Sequence, residues 1–492
     1  MRRWLSGQCR LWRWKTQWLE VVWLTKRVET IGQAAVLAGL RDGMRISFHH
    51  HLRNGDYVLN RVMEAAASLG IKNLTVNASS LFDIHEPLIG HIRNRTVTGL
   101  EVNYMTGPVA RAVSEGILDQ PVIFRSHGGR AGDMDNGTLN VDIAFIAAPC
   151  ADEMGNCSGK YGPSACGSLG YACSDAVHAK KVVVITDHLV PYPLQDASIQ
   201  EGFVDYVVCI DRIGDASRIV SGTTRITRDP VGLKIARLAA QVIIHSGHLK
   251  DGFSFQTGAG GISLAVAKDV REAMIRGHIK GSFCMGGITE YLVRMMEEGL
   301  FSTILDVQCF DMGAVKSLRE NPGHQEISAS RYASPAMKSC AADHLDVVVL
   351  GATQIDLGFN VNVHTDSNGY IIGGSGGHCD TAAGAKMTVI VAPLIRARIP
   401  LIVENVLCRS TPGHTVDVLI TQCGIAVNPN NPDLRERLLR AGLPVTSIEK
   451  LKETAEEMCG KPKLIRGEGR VVAEVLYRDG SRMDEIHMVQ RC

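Results

Sequence analysis

The 492 residues carry 52 basic and 51 acidic side chains, a formal net charge of +1. Such a balance leaves no electrostatic footprint for nucleic acid or an anionic membrane surface, and no stretch approaches the 18 uninterrupted apolar residues of a membrane-spanning helix. The chain reads as soluble and too long for one hydrophobic core, which calls for two or three domains.

Fourteen cysteines are scattered among apolar residues, without the spacing of a disulfide framework, as expected of a reduced, cytoplasmic protein. Cys150, Cys157, Cys166 and Cys173 form the one regular cluster. Their gaps of six, eight and six residues lack the paired C-x(2-4)-C knuckles of structural zinc, so they are expected to be small buried apolar groups and no metal is expected.

In chain order, all five tryptophans (Trp4, Trp12, Trp14, Trp18, Trp23) fall in the first 23 residues with Arg2, Arg3, Arg10, Arg13 and Lys15, ahead of the first acid, Glu20. Without a continuous apolar stretch or a small-residue cleavage site this is no secretory signal. Residues 1–33 are expected to be a disordered extension. From Leu40 a turn leads into RISF, a short strand ending in His49, His50 and His51. A helix over 56–69 follows, with Val58, Val62, Ala65, Ala66 and Leu69 on one face, then a strand over 73–77. Strand, helix and strand at this spacing predict a parallel sheet.

The same grammar returns about two hundred residues later. Leu40-Arg41-Asp42-Gly43-Met44 matches Leu249-Lys250-Asp251-Gly252-Phe253, Val141-Asp142 matches Leu345-Asp346, and Ala179-Lys180 matches Ala385-Lys386. The separations are 209, 204 and 206 residues, which predicts two copies of one α/β domain. The copies are placed at 34–243 and 244–432. Residues 433–492 are expected to add helices and a strand packing on the second copy.

In the second copy the β-branched runs LDVVVLGATQ and MTVIVAPLI read as strands buried on both faces. Between them lie Gly373, Gly374, Ser375, Gly376 and Gly377, leading to Asp380. Missing side chains there let backbone N–H groups approach an anion or oxyanion, although glycine loops are also ordinary turns.

With SFHHHLRNGD, SHGGR, CGSLGYA, TGAGGISLAV, SFCMGGIT, IDLGFNVNV, GGSGGHCDTAAGAK and TPGHTVDVLITQCGIAVNP in hand, the sequence from Leu40 to the C-terminus resembles the alpha subunits of bacterial citrate lyase, within the CoA-transferase superfamily. The resemblance implies two tandem parallel-sheet domains of the NagB/RpiA-like type with the active site between them. It implies transfer of a thiol carrier from an acetyl thioester to citrate, giving citryl thioester and acetate. The carrier would be the phosphoribosyl-dephospho-CoA group of an acyl-carrier protein, or acetyl-CoA. Implied partners are citrate and the acyl-carrier (gamma) and citryl lyase (beta) subunits of an oligomer, with neither nucleic acid nor membrane.

CoA-transferases that work through a glutamyl thioester carry Glu-Asn-Gly in the second domain. The corresponding place here reads Met285-Gly286-Gly287, with Glu290 nearby, so a nucleophilic carboxylate is absent. A citrate carboxylate can itself attack the thioester, and the protein's task becomes positioning anions and stabilising an oxyanion. Gly258, Gly260 and Gly261 are the first choice for that loop, then Gly374, Gly376 and Gly377. Arg130 and then Arg53 are candidate forks for carboxylates, against the alternative of solvated surface arginines. His49, His50 and His127 are candidate donors to substrate, since adjacent imidazoles are costly to bury without partners. Asn360 and Asn362 could bind the carrier's amides or satisfy a tight turn. Other readings are a citramalate-specific enzyme, a conventional CoA-transferase or acyl-CoA hydrolase, and a non-catalytic ligand-sensing subunit.

Overall fold

The computed structural model describes residues 25–220, 225–258, 260–462, 465 and 469–489. Two sheets carry the fold. In the first, Arg45–Phe48 is flanked on one side by Leu74–Ala78, Val97–Val102 and Val122–Phe124, and on the other by Ile143–Ala147, Lys181–Thr186 and Tyr206–Cys209. In the second, Phe255–Thr257 takes that place. Gly281–Ile288, Phe301–Cys309 and His324–Glu326 lie to one side, and Val347–Gly351, Met387–Val391 and Val418–Thr421 to the other. Every pairing in this set is parallel. Strand order relative to chain order is the same in both sheets, so the repeat in the sequence is a repeat of topology. Ile143–Ala147 and Met387–Val391 are buried throughout, as apolar runs inside a helix-covered parallel sheet must be.

The helix expected over 56–69 is Val58–Ser68, with Val58, Leu59, Val62, Met63 and Ala66 inside. Leu69 lies beyond its last turn and is exposed. The helix placed at the end of the first copy, Pro230–Ser246, is capped by the Asp229 carboxylate, which accepts from Gly232 N at 2.8 Å. It buries Ile235, Ala236, Ala239, Ala240, Val242 and Ile243 in the second domain's core. The boundary therefore falls ahead of this helix rather than at 243/244.

Both chain ends depart from expectation. Residues 25–33 are not a disordered extension. Arg27–Val28 pairs with the strand Tyr206–Cys209, Lys26 Nζ donates to the Glu201 and Val204 carbonyls at 2.6 Å each, and Thr30 caps the helix Ile31–Leu37. Residues 1–24 lie outside the described residues. At the other end, Pro432–Arg440 and Ile448–Cys459 do bury apolar faces against the second domain. The terminal strand does not. Val471–Leu476 pairs in parallel with Val122–Phe124 of the first sheet and is followed by antiparallel Arg482–His487. Val122–Phe124 would otherwise present an open edge, and Val472, Ala473 and Val475 supply the buried face that closes it. Among the described residues no helix is long and apolar enough to cross a membrane.

A chain beginning at Thr30 is expected to melt below one beginning at Thr25. It lacks the edge strand and the Lys26 bonds, each worth about 1 kcal/mol, and a domain of this size loses roughly 2–4 °C per kcal/mol. Equal melting temperatures by calorimetry would show that Arg27–Val28 is a passive edge.

Candidate active site

In an open parallel sheet, ligands bind beyond the carboxyl ends of the strands where the order of connection reverses. Here that point lies beside Arg45–Phe48 in one domain and beside Phe255–Thr257 in the other, and the two points share a cavity of about 240 Å³. The first domain contributes His50, Arg53, Ser80, Phe82, Tyr104, His127 and Tyr171 to its walls. The second contributes Gln256, Thr257, Gly258, Gly287, Gln308, Phe310, Tyr332, Gly374, Ser375, Gly376, Gly377 and His378, among others. No carboxylate lines it among the described residues, and of the lining side chains Arg53 alone carries a permanent charge.

Arg53 reaches this position through a strained turn. Its φ is 52°, and its N–H donates to the His50 carbonyl at 2.9 Å. A left-handed arginine costs on the order of 1 kcal/mol, which the turn retains while it places the guanidinium 5.2 Å from the Phe82 ring and 5.3 Å from the Phe310 ring. Phe82 belongs to one domain and Phe310 to the other, so the cation sits in an aromatic clamp across their interface.

His50 is fixed by Ser79, whose hydroxyl accepts from His50 N at 3.1 Å and lies 2.6 Å from Nδ1. Assigned from this network, the hydroxyl proton goes to Nδ1 and the ring proton sits on Nε2, a donor towards the cavity. His127 begins the helix His127–Asp135, and its N–H donates to the Gly376 carbonyl at 2.8 Å. Its buried Nδ1 has no protein partner. His378 is used up in orientation, with Thr411 Oγ1 2.7 Å from Nδ1 and the Gly351 carbonyl 2.9 Å from Nε2.

Burial holds these imidazoles neutral. It pushes His127 down to about 3, helped by Arg130 and Arg53, and His378 to about 4. His50 is driven well below its ordinary value by burial first, then by the neighbouring imidazoles, which disfavour a shared charge, and by the Arg53 guanidinium.

The segment 373–377 is threaded through the domain interface. Met105 N donates to the Gly373 carbonyl at 3.3 Å, and Gly376 N to the Asn103 carbonyl at 3.2 Å. A Cβ at Gly374 would overlap that same Asn103 carbonyl, so only glycine lets the loop lie this close. Gly374, Ser375 and Gly377 line the cavity, and their N–H groups are taken up by no described hydrogen bond.

The cavity thus gathers His50, Arg53, His127, Gly258, Gly374, Gly376 and Gly377 of the expected residues, while Gly260 and Gly261 do not line it. Gly258 N is spent on the Val349 carbonyl at 2.7 Å. Gly260 and Gly261 turn away to start the helix Gly261–Arg276. His49 lies behind the wall, its Nε2 accepting from Ala147 N at 3.1 Å.

Arg130 is buried and pairs with Asp175 through two nitrogens, at 2.7 and 3.0 Å, while Nε donates to Asn77 at 2.7 Å. A guanidinium so saturated is a brace inside the first domain, not a fork for a ligand. Asn360 closes a turn onto Asp356 and accepts from Gly413 N at 2.9 Å, and Asn362 bonds Gln354 and Thr365. Neither lines the cavity. Met285 is buried in the core, and Glu290 lies on the surface, bonded to Arg294 at 2.5 Å.

The residues missed from sequence are aromatic or amide groups: Phe82, Tyr104, Tyr171, Gln256, Gln308, Phe310 and Tyr332. Gln308 Nε2 donates to the His50 carbonyl at 3.0 Å across the domains, and Gln256 Nε2 to the Tyr332 hydroxyl at 3.0 Å. Tyr171 was within reach, standing in CGSLGYA; the others are single residues in ordinary contexts. The thiols of Cys150, Cys157, Cys166 and Cys173 are all raised by burial, Cys150 to about 11. Among the described residues no group of three or more His, Cys, Asp or Glu is arranged to hold a metal.

Residues 25–489 match the family model of the citrate lyase alpha subunit. The chain belongs to that family. It is 50% identical over 465 residues to the citrate lyase alpha chain of Escherichia coli (strain K12), covering 94% of this chain and 91% of that one. It is 49% identical to the Klebsiella pneumoniae alpha chain, covering 94% and 92%. A Streptococcus mutans structure described as the alpha subunit of citrate lyase in complex with citrate superposes with a TM-score of 0.93 at 48% identity, covering 96% of this chain and 92% of that one. A malonate decarboxylase alpha subunit from Acinetobacter baumannii, at 16% identity and a TM-score of 0.65 over 94% and 97% of the two chains, shares the fold. A 4-hydroxybutyrate CoA-transferase from Porphyromonas gingivalis, at 17% identity and a TM-score of 0.56 over 90% and 98% of the two chains, shares it too, so the fold is of the CoA-transferase type, and the family is that of a transferase subunit of citrate lyase.

Six histidines, five of them buried and His127 half-buried, are expected to make the protein acid-labile. His49, His50, His51, His127, His364 and His378 all have depressed values, about 4, 3 and 4 for His49, His364 and His378. A depressed folded-state value gives stability that is complete above the unfolded value near 6.5 and is lost as pH falls towards 4, up to about 2 kcal/mol per histidine by pH 5. Asp380, raised to about 6 by burial, and Asp311, Glu326 and Asp417, also raised chiefly by burial, work in the opposite sense, but the depressed histidines outnumber them. The urea midpoint should fall steeply between pH 6.5 and 5. A flat profile would show that these rings are protonated in the fold.

Proposed function

We propose that this chain transfers the thiol carrier from an acetyl thioester to citrate, without a covalent enzyme intermediate, within a complex containing acyl-carrier and citryl lyase subunits in the cytoplasm. The observation that carries the reading is a cavity with one clamped arginine, neutral imidazoles and open loop amides, and with no carboxylate in its wall among the described residues. The citrate named with the Streptococcus mutans relative supports the choice of acid.

One citrate carboxylate, held by the Arg53 fork, attacks the acetyl carbonyl carbon. The tetrahedral oxyanion is met by the N–H groups of Gly374, Ser375 and Gly377 and collapses with loss of the carrier thiolate, leaving a citric–acetic anhydride. The thiolate then attacks the citryl carbonyl, and the same donors receive the second oxyanion. Acetate leaves, and no net proton is moved. His50 Nε2–H and His127 are neutral donors that assist the anions without adding a charge. The carrier enters as the acyl-carrier prosthetic group, or as acetyl-CoA in its place.

Arg53→Gln is expected to raise KM for citrate about tenfold to a hundredfold, the worth of a charge-assisted pair, while changing the melting temperature little. Arg130→Gln should do the reverse, costing about 3–5 kcal/mol of stability by stranding the buried Asp175. If Arg130→Gln selectively raised the citrate KM, the two assignments would have to be exchanged.

An enzyme passing its acyl group through a glutamate forms an enzyme–CoA thioester that borohydride reduces and hydroxylamine cleaves. None is expected here after incubation with acetyl-CoA. Initial rates should give intersecting rather than parallel lines, and Glu290→Gln should retain substantial activity. A thioester-modified peptide covering 281–298 would sink the direct-exchange mechanism.

A further inference from the structure

The cavity collects hydrogen-bond donors: the Arg53 guanidinium, His50 Nε2–H and the unspent N–H groups of Gly374, Ser375 and Gly377. Such groups suit carboxylates and oxyanions, which accept and have no proton to give. Gln256 runs against that pattern. Phe255 points into the second domain's core, so the alternation of the strand sends Gln256 to the other face, where it lines the cavity.

Gln256 is 5% exposed, and its Nε2 donates to the Tyr332 hydroxyl at 3.0 Å. Its Oε1 is buried and has no hydrogen-bond partner among the described residues. Thr257 Oγ1 and His127 Nδ1, also in the wall, lack partners too. A hydroxyl or an imidazole nitrogen can serve as donor or acceptor, whereas an amide carbonyl only accepts. Leaving a buried acceptor unmatched costs more than an ordinary hydrogen bond returns, so this oxygen calls for a donor on the ligand.

The amide is held in place by its neighbours. A Cβ at Gly286 would come within 2.8 Å of Gln256 Cδ, 3.0 Å of Nε2 and 3.1 Å of Oε1. Gly286 also has φ 96°, so a glycine is needed there both for the backbone and for the amide's room. Tyr332 fixes Nε2, and its phenol, kept protonated by burial, lies against Gly377, where an added Cβ would meet the hydroxyl at 2.5 Å. The residue after Gly286, Gly287, supports the Phe310 ring that clamps Arg53. Packing thus ties the unmatched carbonyl to the cation through one glycine pair and to the glycine segment through Tyr332.

We propose that Gln256 Oε1 accepts a hydrogen bond from the hydroxyl of the acid substrate, so that the cavity selects a hydroxy acid: Arg53 takes a carboxylate, the Gln256 carbonyl takes the O–H, and the glycine segment is left for the oxyanion. This deepens the transferase reading and rests on it. At neutral pH the carboxylates of citrate offer no proton, and its alcohol is the one O–H the acid brings. Citramalate carries the same group. Gln256 therefore separates both acids from others of similar charge that lack a hydroxyl, and does not separate one from the other.

The test is equilibrium binding of three acids to the whole chain, by calorimetry without thioester: citrate, tricarballylate, which is citrate without its hydroxyl, and the citrate analogue in which fluorine replaces the hydroxyl and cannot donate. Citrate should bind about tenfold to a hundredfold more tightly than either, the range expected when a buried partner is left unmatched. Gln256→Met, close in size and without the carbonyl, should bring the three affinities together. Equal wild-type affinities for citrate and tricarballylate would overturn the proposal with no variant needed. A fluoro analogue that binds like citrate would do the same, since the wall would then be donating, as would a citrate preference that survives in Gln256→Met. Initial rates of exchange with acetyl-CoA and each acid separate this inference from the transferase reading. If wild type prefers citrate through Gln256 but exchanges with none of the acids, the reading fails and the hydroxyl contact stands. If tricarballylate binds and exchanges as well as citrate, the reading stands and the Gln256 assignment alone is wrong.

Discussion

A carboxylate buried between the domains fixes the geometry on which the site depends. Asp380, in the second domain, accepts from Ser126 Oγ at 2.7 Å and from Gly128 N at 2.8 Å, both in the first. It thereby caps the helix that His127 begins, while the preceding glycine segment takes the His127 N–H on its Gly376 carbonyl. Burying an ion costs several kcal/mol, and two charge-assisted bonds return about 1.5–3 kcal/mol each. Arg478, 3.9 Å away, adds a nearby cation. That arginine follows the strand Val471–Leu476, so inserting the C-terminal strand into the first sheet also brings a charge to the joint. One carboxylate ties together both domains, the open amides and a cavity imidazole.

The electrostatics of the cavity follow from what is kept neutral. A cluster of imidazoles packed ring against ring, with His50 and Tyr171 centroids 4.9 Å apart and His50 and His127 5.5 Å apart, would repel if charged. Burial suppresses their protonation, and a single guanidinium remains to attract anions. Its aromatic clamp holds that cation across the domain interface, in a cavity whose described wall carries no carboxylate. The neutral rings keep their hydrogen-bonding capacity and add no second charge to the cavity.

The two-domain architecture was legible in sequence because three anchors repeat with nearly constant spacing, and equal spacing of like segments becomes equal strand order. The glycine segment at 373–377 was legible because close backbone approach needs residues without side chains. Arg130 misled for a physical reason: its loop context, SHGGR, is that of an anion site, but the partner that consumes it, Asp175, is 45 residues away in sequence and invisible to local reading. The tyrosines and glutamines were missed because each is one residue with no local pattern, and only the meeting of two sheets makes them neighbours. The extents of the ends failed similarly, since the edge strand 27–28 and the inserted strand 471–476 find their partners only in three dimensions.

Met285-Gly286-Gly287, which the resemblance sets against the glutamyl-thioester motif, packs in a definite way. Met285 points into the core, and the strand bulges between Gly286 and Gly287. A Cβ at Gly287 would run into the Phe310 ring, so the glycine is what lets that ring lie against the strand. Phe310 is also one half of the clamp on Arg53. A carboxylate in this corner would place a negative charge where an anion must enter; a glycine with an aromatic ring leaning on it supports the cation that draws the anion in. On the proposed direct exchange, the absent nucleophile and the arginine clamp are two aspects of one packing arrangement, and a glutamate placed at Met285 alone would leave the contacts of Gly287, Phe310 and Arg53 as they are.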